Sequence, residues 1–371
     1  MADHAAPAHH RTVASVDGAL ARAVELATRG PAWGPNPRVG CVILAPVQDT
    51  ADDGAVGPRV VLAEGWHRGA GTPHAEAAAL AAAREAGVDV RGATAVVTLE
   101  PCNHTGRTGP CAVALEQAGV AEVVYAVADP NPVAAGGADH LAAHGVRTEL
   151  RPTPAATELV RTWATSAAAS RPYVIVKTAA TLDGRVAAAD GTSRWITGPE
   201  ARAHAHEVRA AVDAVAVGTG TVAADDPALT ARRPDGTLAE HQPLRVVVGR
   251  RDVPDGARLR TEAGGELLQL ATHDVAEVLA VLAAREVRTL LVEGGPRLAT
   301  AFLEAGVVDE LHAYVAPVLL GAGPGVVGGL GITTIADALR WRTHDVRRLG
   351  DDVLLTARSH PSRPRPTSQE A

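Results

Sequence analysis

The sequence predicts two α/β domains in tandem, and three observations carry that prediction. At 371 residues the chain is about twice the usual domain length. Short apolar runs alternate with helical spacings along it, as they do where helices flank a sheet. A segment bounded by Arg151-Pro152 and Arg171-Pro172 separates two such series. The expected organisation is a domain over residues 12–150, a linker over 151–171, a second domain over 172–358, and a disordered tail over 359–371 rich in Pro, Ser and Arg. Hydrophobic residues are 46% of the chain but Phe, Trp and Tyr only 2%, so Ala and Val must build most of both cores.

In the first half, a helix is expected near Ser15 to Thr28, with Val16, Leu20, Val24 and Ala27 on one stripe and Gly30-Pro31 as its stop. Gly34-Pro-Asn-Pro-Arg-Val-Gly40 is too rich in Pro and Gly for regular structure and leads into an apolar strand, Cys41 to Leu44. Arg59 to Trp66 gives a second strand, ended by His67. The helix from His74 to Ala86 is nearly all Ala and Glu, and Gly87 stops it. Strand Ala93 to Leu99 follows, and Pro110 takes a first-turn position in the next helix, where its missing amide hydrogen is tolerated. Strand Glu122 to Ala128 and the loop Asp129-Pro-Asn-Pro132 complete the alternation, and a short helix, Pro154 to Ala169, lies within the linker.

The second half repeats the pattern without Cys. Strands are expected at Tyr173 to Thr178, Ala214 to Val217, Leu244 to Val248, Thr289 to Glu293 and Leu311 to Val315, and helices near Gly198 to Val212, Asp274 to Arg285 and Arg297 to Ala305. No G-x-G-x-x-G follows a strand, which speaks against a Rossmann dinucleotide fold. Leu291-Val-Glu-Gly-Gly-Pro-Arg297 does follow one. Its two glycines admit an anion close to the backbone, and the helix start behind them offers free amides to phosphate.

Two stretches of the first half carry chemistry. Thr72-Pro-His-Ala-Glu76 opens the Ala-rich helix, and Glu100-Pro-Cys-Asn-His-Thr-Gly-Arg-Thr-Gly-Pro-Cys111 joins the next strand to the next helix. A catalytic zinc takes three protein ligands and keeps a fourth position for water, and His74, Cys102 and Cys111 make such a set. His74 and Cys111 both sit at helix starts, where the macrodipole favours thiolate over thiol. Glu76 is left over as a base. Nucleobase deaminases carry this H-x-E plus P-C-x-x-C signature, here stretched to eight residues between the two Cys. Two alternatives stay open on the residues alone. Cys41 could close a Cys3His cage, although Val39-Gly-Cys-Val-Ile43 reads as a buried strand where Cys acts as a small hydrophobe, and His104 could be a ligand.

The stretched spacing resembles the deaminase half of the bifunctional riboflavin-biosynthesis family, a diaminohydroxyphosphoribosylaminopyrimidine deaminase fused to a 5-amino-6-(5-phosphoribosylamino)uracil reductase. Leu182-Asp-Gly-Arg185, Ser193-Arg-Trp-Ile-Thr197 and Thr221-Val-Ala-Ala-Asp-Asp-Pro-Ala-Leu-Thr230 resemble its reductase half, so the likeness covers about residues 14 to 358. It implies a cytidine-deaminase-like three-layer domain followed by a dihydrofolate-reductase-like α/β domain. It also implies zinc-dependent deamination of a pyrimidine ribotide, then NADPH-dependent reduction of its ribosyl group to ribityl. Carried over residue by residue, Asn36, His67, His104 and Arg107 would contact the first substrate. Ala179, Trp195, Thr221, Asp225 and the turn Gly295, Pro296, Arg297, Leu298, Ala299, Thr300, Ala301 would hold the cofactor. Ser193, Arg209, Leu229, Arg232 and Glu293 would hold the second substrate, with Arg209 and Arg232 suited to its phosphate. The chain departs from the family pattern at Gly109, usually Pro, and at Gly249-Arg250-Arg251, where Arg250 would add positive charge for the 2'-phosphate of NADP.

Composition narrows the alternatives. A formal charge of -7 gives no general attraction to nucleic acid, and three Cys, two of them in zinc-type spacing, fit a reducing cytoplasm better than a disulfide framework. Neither a signal-like N-terminus nor an apolar run of membrane-spanning length is present, so a soluble protein is expected. A homo-oligomer acting on a small molecule, with no nucleic-acid or membrane partner, is the expected state. Two rivals are a nucleoside or nucleic-acid deaminase with an unrelated second domain, and a zinc-stabilised module that binds without turnover. The first leaves residues 172–358 unexplained and lacks a basic, aromatic-laced patch. The second leaves Glu76 idle.

Overall fold

The computed structural model describes residues 11–47, 58–104 and 109–359. The chain divides between Ser170 and Arg171 into two compact units. The first contains β1 (Thr12–Val13), α1 (Val16–Ala27), β2 (Gly40–Leu44), β3 (Arg59–Trp66), α2 (Ala75–Glu85), β4 (Thr94–Val97), α3 (Cys111–Gln117), β5 (Glu122–Tyr125), α4 (Gly137–Ala143), β6 (Arg147–Leu150) and α5 (Pro154–Ala169). Its sheet runs β1-β3-β2-β4-β5-β6, with β4, β5 and β6 parallel and β2 antiparallel to both neighbours.

Strand β2 shows how three layers form. Cys41 and Ile43 pack with Ala75 and Ala79 of α2, while Val42 and Leu44 pack with Leu20, Ala23 and Leu26 of α1. Successive side chains of a strand point to opposite faces, so a strand apolar at every position is covered on both. The small core residues let the helices sit close to the sheet. A Cβ on Gly40 would lie 2.0 Å from the Ala23 carbonyl oxygen, and one on Gly65 would lie 2.4 Å from that of Ala75. The Ser15 hydroxyl caps α1 by accepting from the Gly18 amide. Helix α5, expected within a linker, belongs to the first unit, where Ala156 is buried with Ala19 and Leu20. The sequence reading left α4 and β6 unassigned.

The second unit contains β7 (Tyr173–Thr181), α6 (Pro199–Ala211), β8 (Ala214–Gly218), α7 (Thr219–Asp225), β9 (Leu244–Val248), α8 (Arg258–Thr261), β10 (Leu267–Leu270), α9 (Val275–Ala284), β11 (Thr289–Val292), α10 (Pro296–Glu304), β12 (Glu310–Ala316), β13 (Trp341–Leu349) and β14 (Asp352–Ser359). The sheet order is β10-β9-β8-β11-β7-β12-β14-β13, parallel as far as β12 and closed by an antiparallel hairpin. Its two faces again alternate residue by residue. Val174, Ala214, Val246 and Leu290 face α9 and α10, whereas Ile175, Val215, Val247 and Leu291 face Val222 of α7 and Leu259 of α8. The sequence reading missed β13 and β14 as well as β10, α7 and α8. Strand β13 is exposed from Arg342 to Arg348, so no buried face imprints a period-2 apolar pattern on it. Arg107 and the tail after Ser359 lie outside the described residues.

Candidate functional site

In the first unit, strand ends and helix starts bring three donors together. His74 is the N-cap of α2 in extended conformation, and Cys111 opens α3 after Pro110, which is the N-cap rather than a first-turn residue. Cys102 lies on the loop after β4, held there because the Asn103 amide donates to Ala134 O and the Cys111 amide donates to Cys102 Sγ. His74 Nδ1 lies 3.5 Å from Cys102 Sγ and 3.4 Å from Cys111 Sγ, and the three donor atoms fall within 4.8 Å of one another. Bond lengths of about 2.3 Å to sulfur and 2.0 Å to nitrogen put the N···S edge of a tetrahedral zinc site at about 3.5 Å, so the set fits zinc. The hydrogen bond between the sulfurs pushes the Cys102 thiol down to about 4 and the Cys111 thiol up. The pair thus shares one proton that a dication would displace. Cys41 is wholly buried in β2 and is not one of this group.

Glu76 sits in the first turn of α2, 3% exposed, beside this cluster. Burial, helped by the Cys102 charge, raises its carboxyl to about 7. A dication on the neighbouring donors draws it back down. Asn36 and His67 lie together. His67 Nδ1–H donates to Pro73 O at 3.1 Å, which leaves Nε2 to accept from the Asn36 amide at 2.9 Å. The His67 ring meets that of His74 edge-on, 5.5 Å between centroids. His67, 4% exposed, is thus a buried neighbour of the donor set and not a solvated strand end. Trp163 Nε1–H donates to Pro35 O and steadies the Pro-Asn-Pro loop. His104 follows Cys102 on the same loop, and its Nδ1 is buried with no partner among the described residues. It is not one of the donor group. Glu100 was missed by the sequence reading. Its carboxylate accepts from the Asp129, Gly136 and Ala138 amides and so fastens the loop beneath Cys102. An acid directly before Pro-Cys was the available signal.

In the second unit a cleft of about 1310 Å3 opens along the strand ends of β7, β8, β9 and β11. That exceeds the roughly 300–1,000 Å3 of a pocket for one small ligand and leaves room for cofactor and substrate side by side. Ala179, Trp195, Thr221, Asp225, Arg250, Gly295, Pro296, Arg297, Leu298 and Ala301 line it. Ser193, Arg209, Leu229, Arg232 and Glu293 do so too. Ala299 and Thr300 do not. Ala299 is buried in the core, and the Thr300 hydroxyl donates to Pro296 O while accepting from the Gly328 amide. Gly295 caps α10 without a side-chain acceptor for the first-turn amides, and Arg250, Arg251, Arg258 and Arg297 surround the cleft, a setting that fits a dinucleotide phosphate. Leu229 stands at the wall with left-handed backbone, φ 53°, which a branched side chain adopts only under constraint.

Arg209 is already committed. Its Nε and Nη2 donate to the two oxygens of Glu293 at 2.6 and 2.8 Å, and Lys177 Nζ stands 3.9 Å from the same carboxylate. Burial pushes Glu293 up, but the Arg209 charge and hydrogen bonds, with Lys177, outweigh it and hold the carboxyl at about 2. Arg232 is tied to Thr230 Oγ1 and Gly236 O. Of the two arginines expected to suit the phosphate, Arg209 thus turns two of its nitrogens to a residue 84 positions away in sequence. Lys177, missed by the sequence reading, lines the cleft, lies over the Tyr314 ring and has its ammonium disfavoured by burial. It is the only lysine in the chain, placed at the end of an apolar run, and that was a legible signal.

Comparison with known proteins agrees with this division. Residues 15–127 match the model of the cytidine and deoxycytidylate deaminase zinc-binding region, and residues 172–355 match the RibD C-terminal domain. A riboflavin biosynthesis protein RibD of Mycobacterium tuberculosis is 46% identical over 348 residues, covering 93% of this chain and 97% of that protein. The RibD of Corynebacterium ammoniagenes is 46% identical over 297 residues, 79% of this chain and 83% of that protein. A solved structure of Acinetobacter baumannii RibD superposes with a TM-score of 0.79 at 36% identity, over 92% of this chain and 98% of that one. With zinc serving a deaminase-type first domain and NADPH a reductase second domain, the chain belongs to the RibD family of bifunctional riboflavin-biosynthesis enzymes.

Proposed function

We propose that the first domain deaminates 2,5-diamino-6-(5-phosphoribosylamino)pyrimidin-4-one and that the second reduces the ribosyl group of the resulting 5-amino-6-(5-phosphoribosylamino)uracil to ribityl. The observation that carries this reading is the triangle of His74, Cys102 and Cys111 with a buried, unliganded Glu76 beside it. Zinc, when bound, supplies the Lewis acidity that activates water at neutral pH. Glu76 takes a proton from the attacking water and hands it to the leaving amine. Burial, which disfavours the ionised carboxyl, and a bound dication, which favours it, act in opposite directions on the group that must both accept and give up the proton. Asn36, locked against His67, presents a polar edge to the pyrimidine, and His104, with Arg107, contacts the rest of the ribotide.

In the second domain NADPH supplies the hydride. The α10 amides and the Arg250, Arg251 and Arg297 charges hold its phosphates, and Trp195, Thr221 and Asp225 flank the cofactor. Ser193, Leu229 and Arg232 hold the ribotide beside it, while Arg209 and Lys177 keep Glu293 ionised at the wall. The domain limits proposed are 12–150, extended through α5 to Ser170, and 172–358, the three free thiols support a cytoplasmic setting, and no helix among the described residues is long and apolar enough to cross a membrane. A homo-oligomer is proposed because the second unit exposes Leu182, Val318, Leu319, Leu320 and Ile335.

The test is to incubate the zinc-loaded protein with the diaminopyrimidine ribotide, with and without NADPH. Ammonia release should occur in both cases and the ribityl product only with NADPH. Binding of the ribotide without ammonia release would refute the deaminase assignment.

A further inference from the structure

A second group of metal-type donors lies on the outer side of the first unit. Glu116 of α3, His140 of α4 and His144 at the C-cap of α4 offer ligand atoms within 4.8 Å of one another. His140 and His144 are four residues apart, so one helical turn stacks their rings, with centroids 4.3 Å apart and planes 29° apart. The His144 tautomer is the one a metal requires. His144 Nδ1–H donates to His140 O at 2.8 Å, which leaves Nε2 unprotonated and able to ligate, and a ligating histidine characteristically gives its other ring proton to a carbonyl. His140 Nε2–H donates to Glu116 Oε2 at 2.8 Å. A dication between them replaces that proton, and the pair need open by only about 0.5 Å to reach the N···O edge of a tetrahedral site.

We propose that Glu116, His140 and His144 form a second, non-catalytic transition-metal site, an imidazole–imidazole–carboxylate set selective for zinc, nickel or cobalt over magnesium or calcium. Glu116 and His144 are partly solvent-facing, so water completes the coordination and the site exchanges freely. A cation there ties α4 to the helix that begins at Cys111. Helix α4 is itself seated against the Cys102 loop, since Glu100 accepts the Gly136 and Ala138 amides and Gly137 lies directly on Pro101 O. The second cation therefore clamps the two segments that carry the sulfur donors of the first.

The experiment titrates Co2+ into the full-length enzyme already holding its catalytic zinc. The expected result is one further equivalent bound with micromolar affinity, adding visible d–d absorption without the near-ultraviolet charge transfer of a cobalt–thiolate bond. In His144→Ala, whose replaced side chain is exposed, affinity should fall at least about tenfold. Its ammonia release should match wild type before cobalt is added. Glu116→Gln should weaken binding in the same way. Absence of a second equivalent in wild type overturns the proposal. So does full retention of cobalt by His144→Ala, which would place the ion on other histidines of the chain.

Discussion

Replacing Arg209 with Ala should cost the second unit about 3 kcal/mol, and two routes give that magnitude. Glu293 is almost wholly buried, and its carboxyl lies at about 2 instead of 4.5, because Arg209 and Lys177 outweigh the burial that pushes it up. At about 1.4 kcal/mol per pH unit the difference is worth about 3 kcal/mol. Removing one partner of a buried ion pair independently costs about 3–5 kcal/mol, and here only Lys177, 3.9 Å away, is left opposite the Glu293 carboxylate. For a unit of about 200 residues, each kcal/mol moves the melting temperature by about 2–4 °C, so the loss should be about 6–12 °C. Calorimetry reads it on the transition that NADPH raises. The pH dependence has a definite sign. A carboxyl depressed on folding contributes fully above its unfolded value near 4.5 and loses that contribution as pH falls towards 2. Wild type should weaken across that window, and Arg209→Ala should lose the slope because the remaining carboxyl is pushed up by burial. An unchanged melting temperature with a raised KM for the ribotide would refute the argument and favour the phosphate role that the family resemblance implies for Arg209.

Three further outcomes follow from other contacts. Cys41→Ala should keep its tightly bound zinc and lose only about 1–2 kcal/mol for a small cavity, because Cys41 is buried in β2 against Ala75 and Ala79 and is not one of the donor set; metal analysis showing zinc loss would restore the closed cage. NADPH should be preferred over NADH by at least about tenfold in kcat/KM, since Arg250, Arg251, Arg258 and Arg297 line one cleft, and equal efficiency would displace that assignment. Gly137→Ala would set a Cβ 1.7 Å from Pro101 O, so the loop carrying Cys102 must shift; about 1–3 kcal/mol of stability and part of the zinc should be lost, and an intact melting curve with full zinc would contradict the packing.

The donor set was legible because zinc chemistry restricts residue types, and His74, Cys102 and Cys111 stand in a spacing that few other demands explain. Strands such as β2 and β9 were legible for a related reason: buried on both faces, they leave unbroken apolar runs. The exposed β13 left none. Pairings across the chain were out of reach, because nothing local announces that Arg209 will meet Glu293 or that Glu100 will gather three amides from residues 129–138. Of the stretch from Gly295 to Ala301, only part faces the cleft. A helix turns every residue by about 100°, so Ala299 and Thr300 rotate into the core and towards Gly328 while Leu298 and Ala301 keep the cleft. Lys177 was overlooked although no other lysine competes with it.

The most direct test of the central claim is the Glu76→Gln variant assayed at both sites. Gln keeps the shape and hydrogen bonding of Glu76 but removes the proton carrier, so zinc content and folding should match wild type. Ammonia release from the diaminopyrimidine ribotide should fall by about 100-fold to 10,000-fold, the worth of a general acid–base group. Oxidation of NADPH with the already deaminated uracil ribotide should continue at close to the normal rate, because the second unit has its own core and cleft. Deamination that persists in the Gln variant, or zinc that is lost with the carboxylate, would contradict the account.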